Sequence, residues 1–242
     1  MMRTIQLTVA CVALLMATAA QVRAGFITNG SFEDRHFLAW GLSDLSSPHL
    51  PLTVRGNGFN SGFGFFSTQA TQGSFSATHG FDGNGPGTIR IFQDIGTVDS
   101  SSNLLSFDYR VGWDMLNYGG SSLDRVLALN VYQAGTFSQL GGFELLRLPA
   151  RTRNSDTGNF LGSVDLSSFS GQSIRISFDA QVPQSFTGPA FFQLDNVRLS
   201  QAPQAPAAVP EPSSLALCGI GAVWMAIGGV RRRRREKLTM LA

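Results

Sequence analysis

The chain has 242 residues, of which 43% are hydrophobic and 14% are charged, and its formal net charge is +2. The positive balance comes from the two ends, because residues 25–200 hold ten arginines, no lysine and fourteen acidic residues, a net charge of −4. Those arginines are scattered singly, which argues against a basic nucleic-acid-binding patch. Both cysteines, Cys11 and Cys218, lie outside this part, which excludes disulfides and thiolate chemistry from it.

The first residues have the pattern of a segment that directs export. Arg3 precedes an apolar run over residues 7–20, and Val22 and Ala24 stand at the two positions that a signal peptidase reads. The pattern predicts a signal peptide over residues 1–24. An uncleaved anchor helix is the alternative, but the run is short for crossing a bilayer.

The stretch from Gly56 to Gly87 differs from the rest in its recurring glycines and closely spaced phenylalanines. Gly permits unusual backbone angles and aromatic faces offer contact area, so the stretch predicts a long loop region of the kind that binds ligands. The alternative is that its phenylalanines fold inward and cap the core. They are Phe59, Phe63, Phe65 and Phe66.

Residues 25–200 consist of short apolar stretches separated by Gly, Ser and Asn, without a convincing helical period. Residues 105–113 and 174–182 alternate apolar and polar side chains, which predicts strands with one buried and one solvent-facing side. Residues 125–133 are apolar on both sides, which predicts a strand inside its sheet. About eight such strands predict an all-β fold, a two-sheet antiparallel sandwich. The further strand segments are 73–81, 88–95 and 191–200.

Residues 111–120 combine aromatic rings with an acid and an amide at a predicted strand end. Flat aromatic faces stack on sugar rings, and acid and amide groups bind hydroxyls, so this segment is the best candidate ligand cluster. Its predicted binding residues are Trp113, Asp114, Asn117 and Tyr118. Trp113 also continues the apolar alternation, so a place in the core is the alternative for it, whereas Trp40 is predicted to be buried.

The C-terminal part divides into three segments. Residues 201–212 are rich in Pro and Ala, which predicts a semi-extended linker. Residues 213–230 have no charge and would form a helix about 27 Å long, so they predict a transmembrane helix. Residues 231–242 predict a basic cytoplasmic stop that leaves the large domain outside. The arginines of this stop are Arg231, Arg232, Arg233, Arg234 and Arg235.

The tail resembles the PEP-CTERM sorting signal of exported bacterial proteins, because Val209-Pro210-Glu211-Pro212 precedes an apolar segment and an arginine cluster. Tails of this kind are also labelled as a C-terminal domain of ice-binding proteins, and that label does not imply ice binding. The resemblance implies that an exosortase-type membrane protease recognises Pro210, Glu211 and Pro212. It also implies transient membrane anchoring, followed by release to the cell surface or extracellular matrix. A plain single-pass anchor is the alternative.

Both ends of the domain are similar to galactose-binding-like jelly rolls, which include many carbohydrate-binding modules. The similarity lies in residues 26–34, FITNGSFED, and in residues 191–200, FFQLDNVRLS, which look like the first and last strands of that fold. It implies a jelly-roll sandwich with a structural calcium ion where the two strands meet. Its ligands here would be Glu33 and Asp195, with Asp34 as a further candidate. The alternatives are a solvent carboxylate for Glu33 and hydrogen bonds to turn backbone for Asp195.

Familiar catalytic motifs are absent from the sequence. There is no Gly-x-Ser-x-Gly elbow, no phosphate-binding loop with its lysine, and no cysteine nucleophile in the domain. His36, His49 and His79 lack the spacing of zinc ligands, and an EF-hand-like stretch from Asp82 fails at Pro86. No catalytic residue is therefore predicted, although the two carboxylates of a glycosidase are paired by distance in space and leave no spacing signal.

The residues and the two resemblances together predict an exported surface or matrix protein that binds polysaccharide without catalysis. A structural matrix protein without a glycan site is one alternative, which buried aromatic side chains would favour. A polysaccharide-degrading enzyme on the same fold is the other, and a cleft with two close carboxylates would favour it. Apart from calcium, no cofactor is expected.

Overall fold

The computed structural model describes residues 26–118 and 122–202. These described residues belong to one compact unit. In the described ranges, no helix has the length and apolar character that crossing a membrane requires. Four predicted features lie outside the described residues: the signal peptide 1–24, the sorting motif 210–212, the transmembrane helix 213–230 and the basic tail 231–242.

The described residues form eleven β-strands and one 3-10 helical turn, Ser167–Phe169. Strands are the expected outcome of alternating side chains, since successive residues of a strand point to opposite faces. In chain order they are β1 (Gly41–Ser43), β2 (Leu50–Gly56), β3 (Phe75–Gly80), β4 (Gly87–Thr97), β5 (Leu104–Asp114), β6 (Arg125–Gln133), β7 (Gln139–Leu148), β8 (Arg153–Asn154), β9 (Phe160–Asp165), β10 (Ser173–Val182) and β11 (Ala190–Ser200).

The strands form two antiparallel sheets that share one hydrophobic core. Sheet A has the order β1–β4–β10–β6–β7, and sheet B has the order β2–β3–β11–β5–β8, with β9 also paired to β5. The chain changes sheet after β1, β3, β4, β5, β7, β9 and β10. The prediction of an all-β, two-sheet antiparallel fold is confirmed, and β6 lies inside its sheet as predicted, paired with β10 and β7.

A phenylalanine-rich core fills the space between the sheets. Phe107 of β5 and Phe178 of β10 meet there edge to face, with ring centroids 4.8 Å apart, and both are fully buried. Burying one such side chain contributes about 1.5–3 kcal/mol to stability. Trp40 is buried as predicted, and its indole N–H donates to the Asn29 carbonyl at 3.1 Å.

The predicted first strand over residues 26–34 is wrong. Residues 26–40 run as turns that reach sheet A at separate points, among them a hydrogen bond from the Phe26 N–H to the Ile95 carbonyl at 3.0 Å. The cause is backbone geometry, because Asn29 and Phe32 have φ angles of 50° and 56°, which an extended strand excludes. The predicted last strand is confirmed as β11.

The predicted long loop contains β3, and its first part, residues 57–74, lies across the outer face of sheet B. We call this part the covering segment. The Gln193 side chain accepts from the Gln69 N–H at 2.7 Å and donates to the Gln69 carbonyl at 2.6 Å. Phe66 is buried and stacks on Phe191 with ring centroids 5.9 Å apart. For Phe66, the capping alternative is therefore the correct one.

The outer faces of both sheets are less exposed than side-chain alternation predicts. On sheet B the covering segment buries Arg110 of β5, which is 9% exposed. On sheet A, Asp179 of β10 is 1% exposed because neighbouring side chains lie over it. The predicted solvent-facing sides are therefore wrong at Arg110 and Asp179, whereas Gln181 of β10 is exposed as predicted. Side-chain alternation indicates which residues are polar and not what covers them.

His79 is a polar residue buried among aromatic rings. His79 of β3 is 1% exposed and packs against the rings of Phe81 and Phe192, with centroid distances of 5.8 and 5.1 Å. Neither of its ring nitrogens forms a hydrogen bond with the described residues. Burial lowers the pKa of His79 from 6.5 to about 3, because an imidazolium ion there would lose its hydration.

We predict that His79 makes the domain acid-sensitive. Below pH 6.5 the unfolded chain binds a proton at this residue, whereas the folded domain does not until about pH 3. The free energy of unfolding should therefore fall as the pH drops from 6.5 toward 4, by up to about 1.4 kcal/mol per pH unit from this residue. Urea unfolding of the fragment 26–202 across this range measures the slope.

In His79→Phe this contribution to the slope should vanish. His36→Gln is the matched control, because it replaces an exposed histidine and leaves His79 in place. An identical pH dependence in His79→Phe and the parent would contradict the assignment.

Candidate functional site

The outer face of sheet A carries a cross-strand network of charged and aromatic side chains. The register places Asp94 of β4 beside Arg175 of β10, and Arg175 beside Tyr132 of β6. Further along the same two strands, Arg90 lies beside Asp179. These residues share a face because every second side chain of each strand points away from the core.

Asp179 is the centre of this network. Its carboxylate accepts hydrogen bonds from Asn130 Nδ2 and the Tyr132 phenol, both at 2.8 Å, from the Ser177 hydroxyl, and from Arg90 Nε at 3.4 Å. Burial and the neighbouring carboxylate raise the pKa of Tyr132, so its phenol remains a donor. The polar groups of this face therefore order one another without a ligand.

Phe137 adds an exposed ring to the network. It lies in the turn between β6 and β7 and is 46% exposed. The rings of Phe92 and Tyr132 meet it edge to face, with centroid distances of 5.0 and 5.3 Å. The guanidinium carbons of Arg175 and Arg90 lie 4.8 and 5.2 Å from its centroid, within the range of cation–π attraction. We call these five side chains the sheet A cluster.

Arg175 is held by groups on several sides. Its guanidinium lies 4.5 Å from the Phe92 ring centroid and donates to the two carboxylate oxygens of Asp94, at 2.8 and 3.0 Å. A third bond runs to the Thr136 carbonyl at 3.1 Å. Burial acts to raise the pKa of Asp94, but hydrogen bonds from Arg175 and from the Gly135 N–H outweigh it, and the pKa lies below its ordinary value. Asp94 therefore stays ionised at neutral pH and fixes Arg175.

A cleft of about 300 Å³ adjoins the sheet A cluster. The two share Phe92, and the cleft is also lined by Asp94, which accepts hydrogen bonds from Arg175 of the cluster. Phe26, Thr28 and Gln93 line the cleft as well. Its volume is at the lower end of the range for small-molecule sites. Its lining combines aromatic rings with amide and carboxylate groups, which is the chemistry that a polyhydroxylated ligand needs.

Of the four ligand residues predicted from the sequence, two are buried and two are exposed. Trp113 is 7% exposed, and its indole N–H donates to Thr152 Oγ1 at 2.9 Å. Asp114 is 2% exposed, and it accepts from the Asn117 N–H at 2.8 Å and pairs with Arg153 at 3.3 Å. Only Asn117 and Tyr118 lie on the surface.

Tyr118 belongs to a second aromatic group, which lies where loops meet at one end of the sandwich. It is 51% exposed, and its ring meets Phe63 edge to face at 5.2 Å. Phe63 in turn lies 4.5 Å from the exposed ring of His49 and 6.4 Å from Phe65. The planes of these neighbouring pairs differ by 43° to 79°, so the rings offer no continuous flat surface.

Sequence reasoning missed the residue that ties the loops of this end together. Arg125, at the start of β6, is fully buried and donates to the Phe81 carbonyl at 2.5 Å and to Thr187 Oγ1 at 2.9 Å. It also pairs with Asp82 at 3.3 Å. A charge at the head of an otherwise apolar strand was the available signal, because a buried charge requires a partner.

The two predicted calcium ligands contact opposite ends of one stretch of the covering segment. Asp195 is fully buried, and its Oδ2 accepts from the Thr71 and Gln72 N–H groups at 2.7 and 2.9 Å. Glu33 Oε1 accepts from the Ser74 and Phe75 N–H groups, both at 2.8 Å. Both carboxylates are thus used as anchors for backbone, as the alternative for Asp195 anticipated.

These surroundings fit calcium poorly. Calcium is bound by several converging oxygen atoms, whereas the two carboxylates face backbone N–H groups, which cannot bind a cation. Among the described residues, no three acidic, histidine or cysteine side chains lie close enough to hold a metal ion. Asp34 is exposed, and its hydrogen bonds with other described residues run through its backbone N–H and carbonyl. Calcium binding by Glu33 and Asp195 remains a prediction.

The tail provides the family evidence. Residues 208–235 match the model of the PEP-CTERM protein-sorting motif. The chain therefore carries a PEP-CTERM sorting signal, as the resemblance predicted, and this signal indicates an exported protein sorted to the cell surface. The match does not carry the ice-binding label.

Comparisons with whole proteins add little. No curated protein matches the chain. Three solved structures with which it aligns are the carbohydrate-binding module TmCBM61 in complex with β-1,4-galactotriose (14% identity, 74% of this chain, 100% of the other, TM-score 0.44), CBM27-1 of Caldicellulosiruptor saccharolyticus in complex with mannohexaose (14%, 72%, 96%, 0.43), and an apo cyclase from Fischerella sp. (17%, 76%, 98%, 0.47). Similarity at this level assigns no function.

We predict that Asp195 holds the covering segment on sheet B. Asp195→Asn replaces an acceptor oxygen by an amide that faces N–H donors, so the free energy of unfolding should fall by about 1–3 kcal/mol. Limited proteolysis should then cut within residues 57–74. Chemical unfolding and mass spectrometry of the fragments measure both effects.

Glu33→Gln is the comparison variant, because it changes the other anchor at an exposed position and should cost less than about 1 kcal/mol. Unfolding with calcium and then with chelator tests the metal prediction on the same proteins. Calcium stabilisation of the parent that Asp195→Asn abolishes would support a calcium site. Equal stability and equal proteolysis of Asp195→Asn and the parent would contradict the anchoring role.

Proposed function

We propose that this protein is an exported surface protein whose domain is a jelly roll that binds polysaccharide without catalysis. The binding surface that we propose is the outer face of sheet A. One observation carries the proposal: the exposed ring of Phe137 lies beside polar groups that Asp179 already orders. Aromatic rings contact the apolar faces of sugars, and ordered donors and acceptors bind hydroxyls at a low entropic cost.

Two further observations support this proposal. The chain moves repeatedly between the sheets, which is consistent with a jelly-roll connection. The PEP-CTERM motif sorts the protein to the cell surface, where polysaccharides are found. The carboxylates of Asp94 and Asp179 are engaged by arginine, amide and phenol donors, which favours binding over acid–base catalysis.

The loop end, with Asn117 and Tyr118, is a second candidate surface for the same class of ligand. Its exposed rings supply contact area, but Trp113 and Asp114, which would have completed it, are buried and bonded within the domain. We therefore favour the sheet A cluster. A structural matrix protein without a glycan site is the competing function, and burial of Trp113 is the observation in its favour.

We further infer that an exosortase-type membrane protease processes the tail. The family match over residues 208–235 includes Pro210, Glu211 and Pro212, which we propose as its recognition motif. The apolar segment 213–230 and the arginines 231–235 would hold the chain in the membrane until it is processed.

Phe137→Ala tests the glycan site. Loss of the exposed ring should weaken polysaccharide binding by about three- to tenfold, because full burial of a Phe side chain contributes about 1.5–3 kcal/mol and Phe137 is 46% exposed before the ligand binds. Affinity electrophoresis and calorimetry with the producing organism's own exopolysaccharide, and with a panel of purified glycans, measure the loss.

The matched control is Phe186→Ala, which removes another exposed phenylalanine, from the loop between β10 and β11. Tyr118→Ala reports separately on the loop end. If Phe137→Ala binds like the parent and Tyr118→Ala does not, the site lies at the loop end. If folded parent protein binds no glycan at all, the structural alternative replaces the proposed function.

Alanine at Pro210, Glu211 and Pro212 should block processing of the tail. The full-length variant should then stay in the membrane fraction with its tail attached, because the protease loses its recognition motif. Fractionation followed by mass spectrometry of the C-terminus measures this. The control is the double variant Pro203→Ala with Pro206→Ala, which changes the linker outside the motif and should be processed normally. If the motif variant and the parent gave the same trimmed form, the inference that the motif directs processing would be wrong.

A further inference from the structure

The two arginines of the sheet A cluster differ in how fully their donors are used. Arg175 makes two bonds to Asp94 and one to the Thr136 carbonyl. Arg90 donates from Nε to Asp179 at 3.4 Å, which is long for an ion pair, and its guanidinium also lies within hydrogen-bonding reach of the Tyr132 phenol. A guanidinium group has five N–H donors, so most of those on Arg90 are available to another acceptor.

Arg90 is also accessible, and it lies beside the exposed ring. Its side chain is 30% exposed, against 11% for Arg175. Its guanidinium carbon lies 5.2 Å from the centroid of Phe137. A sugar ring in contact with Phe137 would therefore bring its substituents within reach of the terminal nitrogens of Arg90.

The nearby carboxylate of Asp179 does not use all the N–H donors of Arg90. Asp179 already accepts from Asn130, Tyr132 and Ser177, so its charge is shared among several donors. The acceptor that best matches a guanidinium fork is a carboxylate, which takes two parallel N–H bonds. A hydroxyl oxygen accepts such bonds without the charge and is the weaker partner.

We propose that the polysaccharide taken by the sheet A cluster contains uronic acid units, and that Arg90 binds their carboxylate while Phe137 contacts the sugar ring. This inference rests on the proposed function and adds the class of glycan. The domain carries a net charge of −4, so general electrostatic attraction does not account for binding an acidic chain. Recognition would come from one placed arginine, and its salt dependence should be shallow.

The test uses paired probes that differ only in the carboxylate. Oligosaccharides of galacturonate, glucuronate and mannuronate are each compared with the same oligosaccharide after its carboxyl groups are reduced to primary alcohols. Calorimetry on the full exported domain should show that at least one acidic probe binds on the order of tenfold tighter than its reduced partner. Equal affinities within all three pairs would overturn the inference.

Variants assign the effect to a residue. Arg90→Gln should remove the preference, so that the acidic probe and its reduced partner bind with equal affinity, and Arg90→Lys should retain part of the preference. Arg55→Gln is the matched control, because Arg55 also lies beside a phenylalanine, 4.6 Å from the Phe59 centroid, but on sheet B. It should leave both affinities unchanged.

The remaining outcomes separate this inference from the proposed function. Thermal unfolding checks that Arg90→Gln is folded, which is expected because Asp179 keeps its other donors. If folded Arg90→Gln loses both probes equally, the arginine organises the cluster without reading a carboxylate, and the inference is wrong. If neutral glycans bind in a Phe137-dependent way and no acidic probe is preferred, the proposed function stands and the inference about uronic acid is wrong. If no glycan binds, both fail.

Discussion

Packing between the two sheets holds the domain together, because it contains no cysteine and cannot add a covalent cross-link. The contact of Phe107 with Phe178 joins the sheets in the core. Apolar burial alone does not determine where polar groups lie. On the outer faces, two carboxylates position them through hydrogen bonds: Asp179 on sheet A and Asp195 on sheet B. Removing one partner from such a buried network leaves the others unpaired, so each network stabilises the fold only when it is complete.

The two carboxylates give the sheets different surfaces. Asp195 accepts from the backbone N–H groups of the covering segment, and this backbone closes the face that it crosses. Asp179 accepts from side chains of sheet A itself, which leaves Phe137 and Arg90 in contact with solvent. On the proposed function, a ligand would meet ordered groups on sheet A without first displacing a segment of chain, which would lower the entropic cost of binding.

Side-chain alternation correctly predicted strands with an unbroken row of inward-facing apolar side chains. It failed where contacts between residues distant in sequence determine the structure. β5 and β10 were found within about a residue because their inward side chains alternate without a break. β7 was missed because the two glycines at 141–142 interrupt the pattern at the edge of a sheet. The burial of Trp113 could be read from its position in the alternation. Phe137 gave no such signal, since Phe92 and Arg175 join it only through the register of strands distant in sequence.

On the proposed function, a site of this kind should bind weakly as a single copy. A cleft of about 300 Å³ and one exposed ring offer a small contact area, and little free energy remains after the loss of translational and rotational freedom. The PEP-CTERM motif bears on this balance, because a long polysaccharide could contact several copies at once where sorting brings copies together on one surface. Linked sites can exceed the affinity of one by about 10²–10⁴ without a new contact. Weak single contacts then suit the location, since each can break and re-form while the polymer stays attached.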